Sequence, residues 1–158
     1  MHAESAKLKE VIEESLPRLR GLTESQSAAK PYDDKWSLKE ILGHLIDSEA
    51  NNRQRIVRMQ EKPDVGTFRY SQAFWVSAQH YQEETWNDLV QTWYYANKHL
   101  ANVIAHIDPL SLKNTCDTGD PVPTTLEAVV TGYVKHVQHH IGQIFSDADP
   151  RKRSKWKS

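Results

Sequence analysis

The 158-residue chain carries 20 Lys and Arg against 21 Asp and Glu, a net charge of −1, with 38% hydrophobic residues, six Gly and seven Pro. At about 100–200 residues per domain this length gives one compact fold, and the apolar content excludes a disordered chain. A single cysteine, Cys116, excludes an internal disulfide framework and any paired-cysteine metal or redox motif, so metal ligands are sought among His and carboxylates.

From about Ala3 to Leu22 the apolar positions Leu8, Val11, Ile12, Leu16 and Leu19 keep helical spacing, with Pro17 a candidate kink and Gly21 near the end. A polar loop leads to Trp36-Ser37-Leu38-Lys39-Glu40, where Ser37 and Glu40 form a capping box that opens a second helix from Ser37 to Gln60. Pro63 and Gly66 bound it. Ser71 to Gln79 is predicted as a short helix and Glu83 to Ile107 as a long one, stopped by Asp108-Pro109. A turn-rich stretch holding Cys116 follows, and Thr124-x-x-Glu127 offers a second capping box before a last helix over about Thr125 to Ser146. No β-alternation of useful length appears, so four main helices with one or two extra turns imply an all-α, up-down four-helix bundle.

Residues 1–148 form this domain, and 149–158 a basic, flexible tail without assigned function, since five of the last eight residues are Lys or Arg. The rest of the chain then has 15 basic against 21 acidic residues, a net −6, which predicts no nucleic-acid partner. Trp36, Trp75, Trp86, Trp93, Tyr81, Tyr94 and Tyr95 are accordingly read as core and pocket walls. No apolar run reaches the roughly 18–20 residues of a membrane span, and the N-terminus holds acids where a signal peptide is apolar, so a cytoplasmic protein with no membrane partner is expected.

Of the eight histidines, His136 and His140 stand at i and i+4, with imidazoles about 5–6 Å apart on one helix face, a spacing at which two nitrogens share one divalent ion. Both flank the apolar stripe of the last helix, whereas His139 falls opposite it. His44 flanks the stripe of the second helix, with Ser48, Asn51 and Arg55 on the same side, and offers a third ligand. Three neutral imidazoles with an open position suit zinc or nickel in a site of catalytic type; the plain alternative is a chance His pair beside a hydrogen-bonded core His44. His2, His80, His99 and His106 are read as surface or satisfied histidines.

Trp36-Ser37-x-x-Glu40-Ile41-x-x-His44-Leu45-x-Asp47-x-Glu49, together with Tyr133-x-x-His136-x-x-His139-His140-x-x-Gln143-Ile144, resembles the DinB-like superfamily, particularly its YfiT-like branch of metal-dependent hydrolases and bacillithiol transferases. The resemblance covers about Leu8 to Phe145. It implies metal ligands at His44, His136 and His140 and a bundle that often forms homodimers.

With that resemblance, the leading expectation is a thiol S-transferase acting on a small-molecule substrate, with a bacillithiol-like thiol as cosubstrate. Arg55 and Asn51 are candidates to hold carboxylates of the thiol, Asp47 and Gln143 to orient imidazoles or water, and Tyr133 to line the pocket. A metal-dependent hydrolase is the second reading; it needs a carboxylate base, for which Asp47 and Glu49 are the nearby acids, Glu49 facing the apolar stripe. The third is a non-catalytic binding or stress-response protein whose metal ties two helices together. Cys116, beside Asp117, is expected to be a bystander.

Overall fold

Four long helices each bury one stripe, and two long connections decide their order around the core. In the computed structural model, which describes residues 1–149, these are α1 (His2–Arg20), α3 (Leu38–Glu61), α5 (Trp86–Ala105) and α6 (Leu126–Ala148). Two short helices, α2 (Glu24–Ala28) and α4 (Gln72–Ala78), and a 3-10 turn at Pro109–Lys113 lie in the connections. The basic tail beyond Asp149 lies outside the described residues.

The helix starts follow capping chemistry. Ser37 Oγ accepts from the Glu40 N–H at 3.2 Å while Glu40 Oε2 accepts from the Ser37 N–H at 2.7 Å, satisfying two otherwise free donors. α1 runs through Pro17 to Arg20 and buries Ser5, Leu8, Ile12, Ser15 and Leu19, spaced by threes and fours. α5 begins at Trp86, capped by Thr85, because the chain from 79 to 84 forms turns and His80 adopts a positive φ of 51°. α6 is capped by Thr125, not by the Thr124 read from the sequence; the two threonines form a short strand before the helix. The segment read as a loop after α1 contains α2, closed by its own capping box of Thr23 and Gln26.

α1 packs against α5 and α6, and α3 packs against the same two, so α1 and α3 face each other diagonally, as do α5 and α6. Diagonal placement requires connections that cross an end of the bundle, which residues 21–37 and 106–125 supply. The core joins Leu8, Ile12, Leu42, Leu45, Trp93, Leu100, Val130 and Val137, all essentially inaccessible. Trp36 is partly buried and Tyr95 is 60% exposed, so Tyr95 is not a core residue.

A three-stranded sheet, absent from the sequence reading, closes one side. β1 (Asp64–Thr67) pairs in parallel with β2 (Thr115–Asp117), which pairs antiparallel with β3 (Thr124–Thr125). Strands of two to four residues are too short for a period-2 pattern, and the β1–β2 pairing joins residues some fifty positions apart. Cys116 is therefore not in a solvated loop but fully buried on β2, where burial pushes its thiol up, away from thiolate.

Candidate metal centre

α3 and α6 lie side by side, and their facing flanks bring His44, His136 and His140 together. One nitrogen from each lies within 4.8 Å of the others, and His44 Nε2 stands 3.0 Å from His136 Nε2. The ring centroids are 4.5–5.0 Å apart and the planes steeply inclined, so the rings converge rather than stack. Trp36 covers His44 from the end of the loop, with centroids 5.3 Å apart.

Neighbouring side chains fix which nitrogens face inward. Gln143 Oε1 lies 2.9 Å from His140 Nδ1 and accepts its proton, leaving Nε2 with a lone pair. His136 Nδ1 lies 3.3 Å from Ser48 Oγ, and accepting there from His136 gives that ring the same tautomer. Asn52 Nδ2 donates to Ser48 Oγ at 3.2 Å, holding the hydroxyl in place. Burial, reinforced by the neighbouring imidazoles, pushes His44 down to about 4 and His136 down to about 3; burial also lowers His140. All three are neutral at pH 7, the state that ligates a metal. The His136 lone pair points at His44 Nε2 3.0 Å away, a contact satisfied by a proton carried on His44 or by a cation between the rings, and His44 Nδ1 is buried without a partner. These features fit a borderline divalent ion such as zinc, which three imidazoles bind with one position open.

The other candidates divide. Gln143 touches His140. Tyr133 lines the adjoining cavity, but its hydroxyl donates to Asn97 Oδ1 on α5, away from the histidines. Asp47 is buried and accepts at Oδ1 from Tyr81 (2.7 Å) and from Gln79, making no hydrogen bond to an imidazole. Asn51 is buried and donates to the Asp47 carbonyl at 2.8 Å; it does not line the cavity. Glu49 is buried beside Arg53 at 3.1 Å, and burial raises its carboxyl above the ordinary range. His139 is exposed, as are His2, His80, His99 and His106.

A cavity of about 360 Å³ opens beside the triad, lined by His136, Ser48, Asn52, Arg55, Arg69 and Tyr70. The crossover adds Thr118, Asp120 and Thr124. Sequence reasoning assigned no role to Thr118, Asp120 and Thr124 or to Ser48, although Ser48 stands at i+4 from His44 and that spacing was available to find it.

The fold resembles that of YfiT from Bacillus subtilis, described as a probable metal-dependent hydrolase with an unusual four-helix bundle topology. The two chains superpose with a TM-score of 0.76 at 21% identity, over 90% of this chain and 85% of YfiT. No curated protein matches the sequence. Among the described residues no helix is long and apolar enough to cross a membrane. The family model of the DinB superfamily matches residues 7–144, nearly the whole bundle, and the chain therefore belongs to that superfamily.

Proposed function

We propose that this protein is a divalent-metal-dependent enzyme that joins a low-molecular-weight thiol to an electrophile in the cavity beside the triad. One observation carries the reading: three neutral imidazoles converge, and among the described residues no carboxylate hydrogen-bonds any of them. A divalent ion on three neutral ligands keeps its full charge and would supply a Lewis acid that stabilises an anionic nucleophile. The chain's own contribution is orientation. Ser48 and Gln143 set the tautomers, Trp36 covers His44, and the cavity wall positions the substrate. In the transfer, the thiol proton leaves to solvent, a carbon–sulfur bond forms, and the leaving group departs with its electron pair.

Hydrolysis is the second reading, favoured by Asp120, whose carboxylate lines the same cavity as His136, and by the description of YfiT. There Asp120 takes a proton from the attacking water.

The test begins with metal content by plasma mass spectrometry on protein purified without chelator or polyhistidine tag. About one ion per chain is expected, lost in His44→Ala, His136→Ala and His140→Ala and kept in His139→Ala. The loaded protein is then given a model electrophile with thiol, and separately an ester without thiol. Metal-dependent thiol consumption supports transfer; ester turnover that falls in Asp120→Asn supports hydrolysis. A loaded protein that does neither is a bundle whose metal only ties α3 to α6.

A further inference from the structure

The buried and cavity-lining cations differ in one respect. Lys39 pairs with Glu24, and Arg69 holds both oxygens of Asp117 at 2.7 Å. Arg55 is only 9% exposed, yet among the described residues it makes no ion pair. Its Nε and Nη2 donate to the Phe68 carbonyl at 3.1 and 2.6 Å, and its Nη1 donates to Asn52 Oδ1 at 3.3 Å. Three of the five guanidinium N–H groups thus meet neutral oxygens, leaving two N–H groups and a whole charge without a counterpart. The Phe68 and Tyr70 rings, 5.4 and 5.8 Å away, offset only part of that cost.

A buried cation without a carboxylate opposes folding, and its persistence in a cavity wall is explained by a ligand that neutralises it. Asp120, the acid in the same wall, does not do so: it is exposed and accepts from the Thr118 and Thr124 hydroxyls at 3.0 and 3.3 Å. Along α3, Arg55 stands seven residues beyond Ser48, the neighbour of His136, so the two positions are separated by about 10 Å of helix.

We propose that Arg55 is an anion subsite of this cavity, taking a carboxylate carried by the substrate or cosubstrate away from the reacting atoms. Two free N–H groups match two carboxylate oxygens, whereas a phosphate dianion asks for a second free cation and Arg69 is committed to Asp117. The inference deepens the proposed function, resting on it for the identity of the cavity as the substrate site.

The test titrates the full-length, metal-loaded protein with succinate, its neutral diamide and inorganic phosphate. The ¹⁵N-labelled Arg55 Nε–H resonance and calorimetry are followed, with metal content measured on each sample. Succinate is expected to shift the resonance saturably and the diamide to leave it unmoved. Arg55→Met should weaken succinate binding about 10–100-fold, Arg55→Lys by less, and exposed Arg58→Met should leave it unchanged. An Arg55 resonance that succinate does not move, or full affinity in Arg55→Met, overturns the subsite. Tighter binding of phosphate than of succinate overturns the carboxylate assignment. Protein that takes up no divalent ion on reconstitution, but whose Arg55 still responds to succinate, overturns the proposed function and leaves the subsite standing.

Discussion

The Tyr81 ring lies across Gly43 of α3, so close that a Cβ at position 43 would fall 2.1 Å from Tyr81 Cδ2, and this contact sets the phenol 2.7 Å from Asp47. Glycine inside a helix ordinarily weakens it; here it admits the aromatic ring that carries the segment after α4 onto the bundle.

Gly43→Ala is accordingly expected to destabilise the protein by about 1–2 kcal/mol, overpacking outweighing the gain of roughly 1 kcal/mol in helix propensity. Urea unfolding of Gly43→Ala, Tyr81→Ala and the double variant measures this. The glycine substitution should become favourable once the ring is gone, and additive losses would contradict the contact.

Burial pushes the Asp47 carboxyl up to about 6, against the hydrogen bonds from Tyr81 and Gln79, and leaves its Oδ2 without a partner. The folded state holds this proton more tightly than the unfolded chain, so the contribution to stability is complete below the ordinary value of 3.8 and is lost as pH rises through about 6. Asp47→Asn keeps an oxygen for Tyr81 and should be more stable than the parent by about 1–3 kcal/mol near pH 8, and about equal to it near pH 4. Denaturant melts at both values check this, and a pH-independent difference would contradict it.

Ser48→Ala and Gln143→Ala each remove the partner of an outward imidazole nitrogen while leaving the three inward nitrogens in place. Competition with a chromophoric chelator should show metal affinity falling about 10–100-fold in each, with His139→Ala unchanged. Unaltered affinity in both would mean the tautomers are set by packing alone.

Tyr133→Phe leaves Asn97 Oδ1 buried without its donor and should cost about 1–3 kcal/mol of stability with metal content intact. A loss of metal without loss of stability would instead place the phenol at the centre.

The helices and the histidine triad were legible because each rests on local spacing. Ser37 with Glu40, the i, i+4 pair His136 and His140, and the flank position of His44 are read within one or two helical turns. What escaped depends on partners distant in sequence. Asp47 stands at i+3 from His44, which suggested an orienting role, but Gln79 and Tyr81 take its carboxylate from over thirty residues away. The same applies to Tyr133, whose partner Asn97 lies on α5, and to β1 and β2, whose pairing joins residues some fifty positions apart. Arg55 was singled out for its side of α3, yet its lack of a counter-charge shows only when every neighbouring acid has been placed.

The diagonal order of the helices separates two jobs between different stretches of chain. The histidines stand on α3 and α6, regular helices locked by the core, whereas Thr118, Asp120 and Thr124 come from the crossover between α5 and α6. Exchange of residues 118–124 can therefore redraw that part of the cavity wall while the packing that aims the imidazoles stays intact, so under the proposed function this segment is a natural target for retuning what the cavity accepts in a fixed frame.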